Sequence, residues 1–268
     1  LQLIDQKDWT HFSFAFDETS YFEIHSGSLK GCLKSNHQVV KWNFVLKLSD
    51  IPYFHLPYRW LYTFRPFPKK KLLTRDIFTN FYGTVSSIEI DIATQFIGMN
   101  GHNWGREHAF CYAYANCNQF DDDGLTYFDG YSGKISLAGG RLISPFLSGA
   151  SLFTDHQWYH FNGLARTFLN SVKTVEAKTW ELSFFNSTHQ LSVEIEGAEA
   201  LWVRLLYVHP DRKISEIANT KFANGVFTLR KRGQTPTPNN STHEDISVVK
   251  QWRSNYVELE TLIPVQGV

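Results

Sequence analysis

Apolar and polar residues alternate with a period of two along most of this chain, and turn residues break the alternation at short intervals. That pattern marks strands with one buried face. It predicts strands over Trp9–Phe16, Tyr21–Leu33, Val39–Leu48, Phe78–Ile92, Gln95–Asn103, Ala109–Phe120, Leu125–Phe128, Lys134–Ser136, Ala150–Phe161, Val175–Asn186, Gln190–Ile195, Leu201–Val208, Val226–Lys231 and Tyr256–Leu262. Helical spacing is weak throughout. It predicts two short helices, over Gly163–Asn170 and Glu244–Arg253.

Two stretches interrupt the strands. Between Ile51 and Pro68 stand Pro52, Pro57, Pro66 and Pro68 among Tyr53, Phe54, Tyr58, Trp60, Tyr62, Phe64 and Phe67. Proline removes ladder donors, so this is a long loop or an edge segment. It serves equally as a lid over a cavity or as a strap packed across one end of a barrel. Gln234–Asp245 is polar, with Pro236 and Pro238, and reads as an exposed loop. So many strands with so little helix imply an all-β fold. The expected architecture is a closed barrel or two antiparallel β-barrel halves packed together, since closure removes sheet edges. The division is expected near Phe168–Thr174, giving halves 1–168 and 169–268.

Composition narrows the function classes. The 268 residues include 26 Lys and Arg against 26 Asp and Glu, so no basic excess points to nucleic acid. The dense cationic run, Lys69-Lys70-Lys71 with Arg65 and Arg75, reads as a solvated turn; weak peripheral contact with anionic lipid headgroups is the other reading. No apolar run is long enough for a spanning helix. The chain starts at Leu1 without Met, which is compatible with a removed leader. Cys32, Cys111 and Cys117 form no disulfide framework and read as small buried fillers. Aromatic residues make up 16% of the chain, enough to line a ligand cavity as well as fill a core.

The densest chemistry lies in Gly101–Asn118, with His102, Trp104, Arg106, Glu107, His108, Tyr112, Tyr114 and Asn116, and continues at Tyr127 and Asp129. Strand residues two apart share a face. His102 pairs with Trp104 in this way, Tyr112 with Tyr114, Asn116 and Asn118, and Tyr127 with Asp129. The opposite face of the second strand is Ala109, Cys111, Ala113, Ala115 and Cys117. It is uniformly small, so something large packs against it. The Tyr/Asn face is expected to line the barrel lumen. A fourth set is His156, Trp158, His160 and Asn162. Its two histidines stand about 13 Å apart by strand rise, too far to share a metal. His102 and His108 are separated by Gly105, so no metal site is expected. No GxSxG elbow occurs, and the Gly130–Gly133 and Gly139-Gly140 pairs read as turn glycines.

Acid–base chemistry remains. A carboxyl buried among aromatic rings has its charged form disfavoured and can then donate a proton. Asp129 and Glu107 are the candidates. For Asp129 a simple turn role before Gly130 weighs equally. For Glu107 an outward pairing with Arg106 or Arg75 weighs more. A carbocation formed by protonating a C=C bond would be stabilised by the faces of Trp104, Tyr112, Tyr114 and Tyr127.

The stretch Gly98-Met99-Asn100-Gly101-His102-Asn103-Trp104-Gly105, the Tyr/Ala/Asn/Cys strand and the Ile135–Pro145 neighbourhood resemble the tocopherol cyclase and carotenoid 1,2-hydratase (hydroxyneurosporene synthase) group of lipocalin-like proteins. Asn103-Trp104-Gly105 and Cys117-Asn118-Gln119-Phe120 are similar to the Asn-Trp-Gly and Gln-Cys-Asn-x-Phe stretches of the cyclases. The likeness is clearest over Phe81–Phe161. The resemblance implies two lipocalin-like halves with a hydrophobic isoprenoid or polyene substrate between or inside them, and no cofactor. It also implies that a His-x-Trp pair and a Tyr-x-Asp pair carry activity. These map onto His102/Trp104 and Tyr127/Asp129, with Asp129 as proton donor and His102 as its partner. Tyr112, Tyr114, Asn116, Glu107, His108, Trp158 and His160 then form the expected substrate wall. The same face in a non-catalytic lipid-binding barrel is the alternative expectation, and a carbohydrate-binding sandwich is a third.

Overall fold

The structure is a computed structural model that describes residues 11–15, 20–25, 27–35, 38–64, 68–105, 109–121, 125–137, 141–175, 178–208, 214–232 and 247–262. It is all-β with antiparallel sheets, as the alternation predicts. Contacts divide the chain into two units: Leu1–Tyr53 with Thr74–Gly101, and Phe54–Leu73 with His102–Val268. Phe168, where a boundary was expected, lies inside the second unit.

The first unit is built from β1 (His11–Ala15), β2 (Tyr21–His25), β3 (Ser28–Ser35) and β4 (Gln38–Lys47), with parts of β5 (Tyr53–Phe54), β6 (Lys70–Ser86) and β7 (Asp91–Gly105). The sheet order is β1-β2-β3-β4-β6-β5, with β7 paired to β6. Phe81 and Phe96 stack at 4.8 Å, and Phe44 meets Phe96 edge-on at 5.3 Å. Gly98 is small because the Phe81 ring occupies the space a Cβ would need. Asp76 is fully buried here. It accepts hydrogen bonds from the Ser49 amide at 3.1 Å, the Ile51 amide at 3.3 Å, the Thr79 hydroxyl at 2.6 Å and the Ser49 hydroxyl. These bonds fix a turn in which Asp50 sits at φ 59°.

The second unit continues through β8 (Cys111–Cys117), β9 (Tyr127–Lys134), β10 (Ser136–Leu137), β11 (Leu142–Ile143), β12 (Leu147–Thr154), β13 (Gln157–His160) and α1 (Leu164–Leu169). It then adds β14 (Ser171–Val175), β15 (Thr179–Phe185), β16 (His189–Gly197), β17 (Val203–Val208), β18 (Ile214–Lys231) and β19 (Ser247–Leu262). Its large sheet runs β13-β12-β9-β8-β19-β18-β16-β15-β14, with β17 on β18. Strands from both flanks feed one core: Ala113, Ala115, Phe128, Leu152, Trp180, Phe184, Phe227, Trp252 and Leu259 pack together. The sheet therefore curls around its own interior. Asn170 ties the flanks, donating to the Ser148 and Phe161 carbonyls and accepting from the Phe185 amide. Among the described residues no backbone ladder joins β12 or β13 to β14. Each large apolar side chain buried in this interior contributes about 1.5–3 kcal/mol, and the small Ala/Cys face of β8 is what admits the rings.

The structure corrects several sequence expectations. Tyr127–Lys134 is one continuous strand, with no turn at its glycines. At Gly130 a Cβ would stand 2.6 Å from the Phe128 ring and 3.1 Å from the Trp180 ring, so the glycine serves core packing. Asp129 is therefore a strand residue with a defined face. The predicted strand Ala150–Phe161 is a hairpin, because Asp155 and His156 take positive φ of 48° and 60°. Two consecutive such residues make the tight turn whose twist suits a hairpin. The predicted helix Glu244–Arg253 is contradicted: from Ser247 the chain is strand β19, with Trp252 and Ser254 buried on alternate positions. Helix Gly163–Asn170 is present as α1. The Lys69–Lys71 run is not a solvated turn either. Lys70 opens β6, and Lys71 is buried, its Nζ donating to the Tyr62 carbonyl at 2.9 Å and the Phe64 carbonyl at 2.8 Å. The loop Gln234–Asp245 lies outside the described residues.

Candidate functional site

Paired residues in adjacent antiparallel strands point to the same face. The register of the second unit therefore lines up His160, Ser151, Asp129, Asn116 and Glu258 in one row across β13, β12, β9, β8 and β19. The next row carries Tyr131, Tyr114, Glu260 and Asn219. On the other side, Trp158, Phe153 and Tyr127 form a row. All of these lie on the sheet face opposite the Ala113/Ala115/Cys117 core. The expectation that the Tyr/Asn face lines the barrel lumen is thus reversed. The interior is filled by the small face and its ring partners, and the polar–aromatic face is the outer one.

Asp129 is the centre of this face. It is 0% exposed. The Tyr127 hydroxyl donates to its Oδ2 at 2.7 Å and the Tyr114 hydroxyl at 2.9 Å. His55 Nδ1 stands 3.3 Å from Oδ1, at ion-pair distance but without hydrogen-bond alignment. His55 is itself 4% exposed and belongs to the proline-rich segment, whose short 3-10 turn spans Arg59–Tyr62. Asn162 fixes it by donating to the His55 carbonyl at 2.9 Å. Burial pushes the Tyr114 phenol well above its ordinary value, and the neighbouring Asp129 and Glu258 carboxylates push it further. Tyr131 is raised for the same first reason. Both phenols stay protonated and remain donors.

A second carboxylate group adjoins the first through Asn116, which donates to Glu258 at 2.7 Å. Glu258 also accepts from Asn219 at 3.3 Å and pairs with Lys221. Glu260 accepts from Tyr112 at 2.5 Å, Tyr207 at 3.2 Å and Asn219 at 3.1 Å. Burial first, and Glu260 second, drive the Tyr112 phenol up strongly and the Tyr207 phenol to about 12. The Lys70 ammonium lies over the Tyr112 ring at 5.1 Å, so that aromatic face already holds a cation.

Of the residues read from sequence, Asp129, Tyr127, Tyr114, Asn116 and Tyr112 come together on this face. Trp158 and His160 join at its edge, stacked on each other at 5.4 Å, with His160 sharing a 2.8 Å hydrogen bond with Ser151. Desolvation lowers the His160 pKa. His102 and Trp104 stack on each other at 5.3 Å, and Trp104 meets Tyr62 at 5.9 Å. The imidazole at ion-pair distance from Asp129 is that of His55. Glu107 and His108 lie outside the described residues. Among the described residues no cluster of His, Cys, Asp or Glu could hold a metal ion. Sequence reasoning missed His55, Glu258, Glu260, Tyr131 and Tyr207. Glu258 and Glu260 carried a readable signal, alternating with Val257, Leu259 and Thr261. His55 offered only its place in an acid-free aromatic loop.

Chemically, the arrangement surrounds one buried carboxyl with two phenol hydrogen-bond donors and an imidazole, a group type that can pass a proton. Comparison with protein-family models, curated proteins and solved structures gives no match for this chain.

Proposed function

We propose that the second unit carries out cofactor-independent acid–base chemistry on an apolar isoprenoid or polyene substrate, hydrating or cyclising a C=C bond by protonation. The observation that carries this reading is the fully buried Asp129 carboxyl, held by Tyr114, Tyr127 and His55 on one sheet face. Every polar partner is a titratable group, which is what a proton path requires and a structural knot does not. Because the interior of the curled sheet is filled, substrate is assigned to the outer face, beside Tyr127, Trp158 and the His55 segment. Asp129 is the central acid–base group, with His55 as its partner. Trp104, near Tyr62, belongs to the margin of this site.

The test is incubation with acyclic polyenes and polyprenylated aromatics, followed by mass analysis. A product heavier by one water, or an isomer, is expected from the native chain. None is expected from Asp129→Asn with its near-ultraviolet circular dichroism unchanged. An active Asn variant overturns the assignment of Asp129. Recovery of a bound polyene unchanged by native protein and variant alike favours a non-catalytic binding protein instead.

A further inference from the structure

The segment that brings His55 to Asp129 presents a second feature on its other side. Tyr58, Trp60 and Phe64 are 50%, 57% and 45% exposed. They are not scattered. Tyr58 stacks on Trp60 at 6.4 Å, and Phe64 meets Trp60 edge-on at 5.6 Å. Three large rings are thus held together in water. Leu61 between them is buried, and the Lys71 ammonium grips the Tyr62 and Phe64 carbonyls from below. The rings are fixed outward by the packing of their own segment.

Charge names the occupant. The chain as a whole is neutral, yet from Ile51 to Arg75 it carries Arg59, Arg65, Lys69, Lys70, Lys71 and Arg75 and no Asp or Glu. Arg59, between Tyr58 and Trp60 in the chain, and Lys69, five residues after Phe64, are both exposed, and the Arg59 guanidinium lies over the Phe54 ring at 4.4 Å. Tryptophan and tyrosine favour the headgroup level of a bilayer, where the ring is apolar on one side and wet on the other. Clustered Lys and Arg beside them add attraction to anionic lipid. No described helix is long and apolar enough to cross a membrane; exposed rings flanked by cations suit attachment at a lipid surface.

We propose that Tyr58, Trp60 and Phe64, with Arg59 and Lys69, dock the protein on an anionic lipid surface. The inference stands apart from the reaction, because vesicle binding is read without turnover. The full chain is mixed with phosphatidylcholine vesicles, with and without about one-third phosphatidylglycerol, and floated on a density gradient. Strong flotation with the anionic vesicles and weak flotation with the neutral ones is expected. Trp60→Ala with Phe64→Ala should weaken binding about tenfold, and Arg59→Gln should reduce the preference for anionic lipid. Salt at about 0.5 M should weaken binding in part, since screening removes the charge contribution and leaves the rings. Ile214→Ala, at an exposed apolar position on β17's partner strand, should bind as the native chain does. Trp60→Phe guards against misfolding: it should keep binding and lose quenching by brominated lipid. Absence of flotation, equal binding to both vesicles, or native binding by the Trp60/Phe64 double variant overturns the proposal. So does salt-sensitive binding to an RNA oligonucleotide with no vesicle binding.

Discussion

Two aspartates in this molecule are equally buried and differ in everything else. Asp76, in the first unit, is surrounded by two backbone amides and two aliphatic hydroxyls, none of which titrates near neutral pH. Its partners Ser49, Ile51 and Thr79 belong to its own strand and to the turn that the strand supports. Asp129, in the second unit, is surrounded by two phenols and an imidazole from three different elements. Burial therefore does not distinguish a structural carboxyl from a candidate chemical one. The donors do. Amides hold a charge in place, whereas an imidazole can exchange a proton with it.

The strongest way to break this comparison is to remove each carboxyl. Asp76→Ala leaves the part-buried Ser49 and Ile51 amides and the Thr79 hydroxyl without their acceptor and should destabilise the first unit by about 2–4 kcal/mol, at about 1–3 kcal/mol for each donor that water cannot reach. Urea denaturation checks it. A loss under about 1 kcal/mol would mean that water replaces the carboxylate and that Asp76 does not hold the turn. Asp129→Asn keeps the shape and an acceptor oxygen, so its stability cost should be smaller, about 1–2 kcal/mol, while turnover of the proposed polyene substrate should be lost. If the two costs are reversed, Asp129 is the structural residue and the proposed reaction loses its centre.

A phenol–carboxylate contact recurs at Glu260, where it provides an alkaline test. Tyr207 is raised to about 12 in the folded protein, above the value of about 10 expected for the unfolded chain. The folded state therefore retains its proton longer. Its contribution is fully present below about pH 10 and is lost as pH rises from there toward 12. Tyr207→Phe should flatten the decline of stability over that window. An unchanged alkaline slope would place the titration elsewhere, for instance at Tyr112, which shares Glu260.

The all-β class was legible because period-two alternation reports one buried face per strand. The small face of β8 was legible for the same reason, since Ala113, Ala115 and Cys117 leave room only for large rings opposite. What alternation does not report is which face becomes the interior of a curled sheet. The Tyr/Asn face was assigned inward, and Trp180, Phe227 and Trp252 from distant strands settled it the other way. Gly130 misled for a related reason. A glycine cleared for a ring looks in sequence like a glycine needed for a turn. His55 was illegible because its position depends on a pairing 74 residues away with Asp129, and no local pattern encodes that.

The smallest effect is expected at the end of the Asp129 row. His160 is held below its ordinary pKa by desolvation, so the folded protein favours the neutral ring. Above the unfolded value of about 6.5 neither state is protonated, and the contribution is complete. As pH falls below that value, the unfolded chain takes up its proton first, and stability declines until the lower folded value is passed. His102 and His189 are lowered as well and add to the same decline, so the informative quantity is a difference between proteins. His160→Gln, which can still bond Ser151, should lose stability less steeply than the native chain between about pH 7 and 5. Ser49→Ala, in the Asp76 knot, removes no titrating group and should leave the native slope intact. Equal acid slopes for the native chain and His160→Gln would show that the row carrying Asp129 is no more proton-responsive than the turn held by Asp76, and the distinction between the two aspartates would then rest on Asp129 and its immediate partners alone.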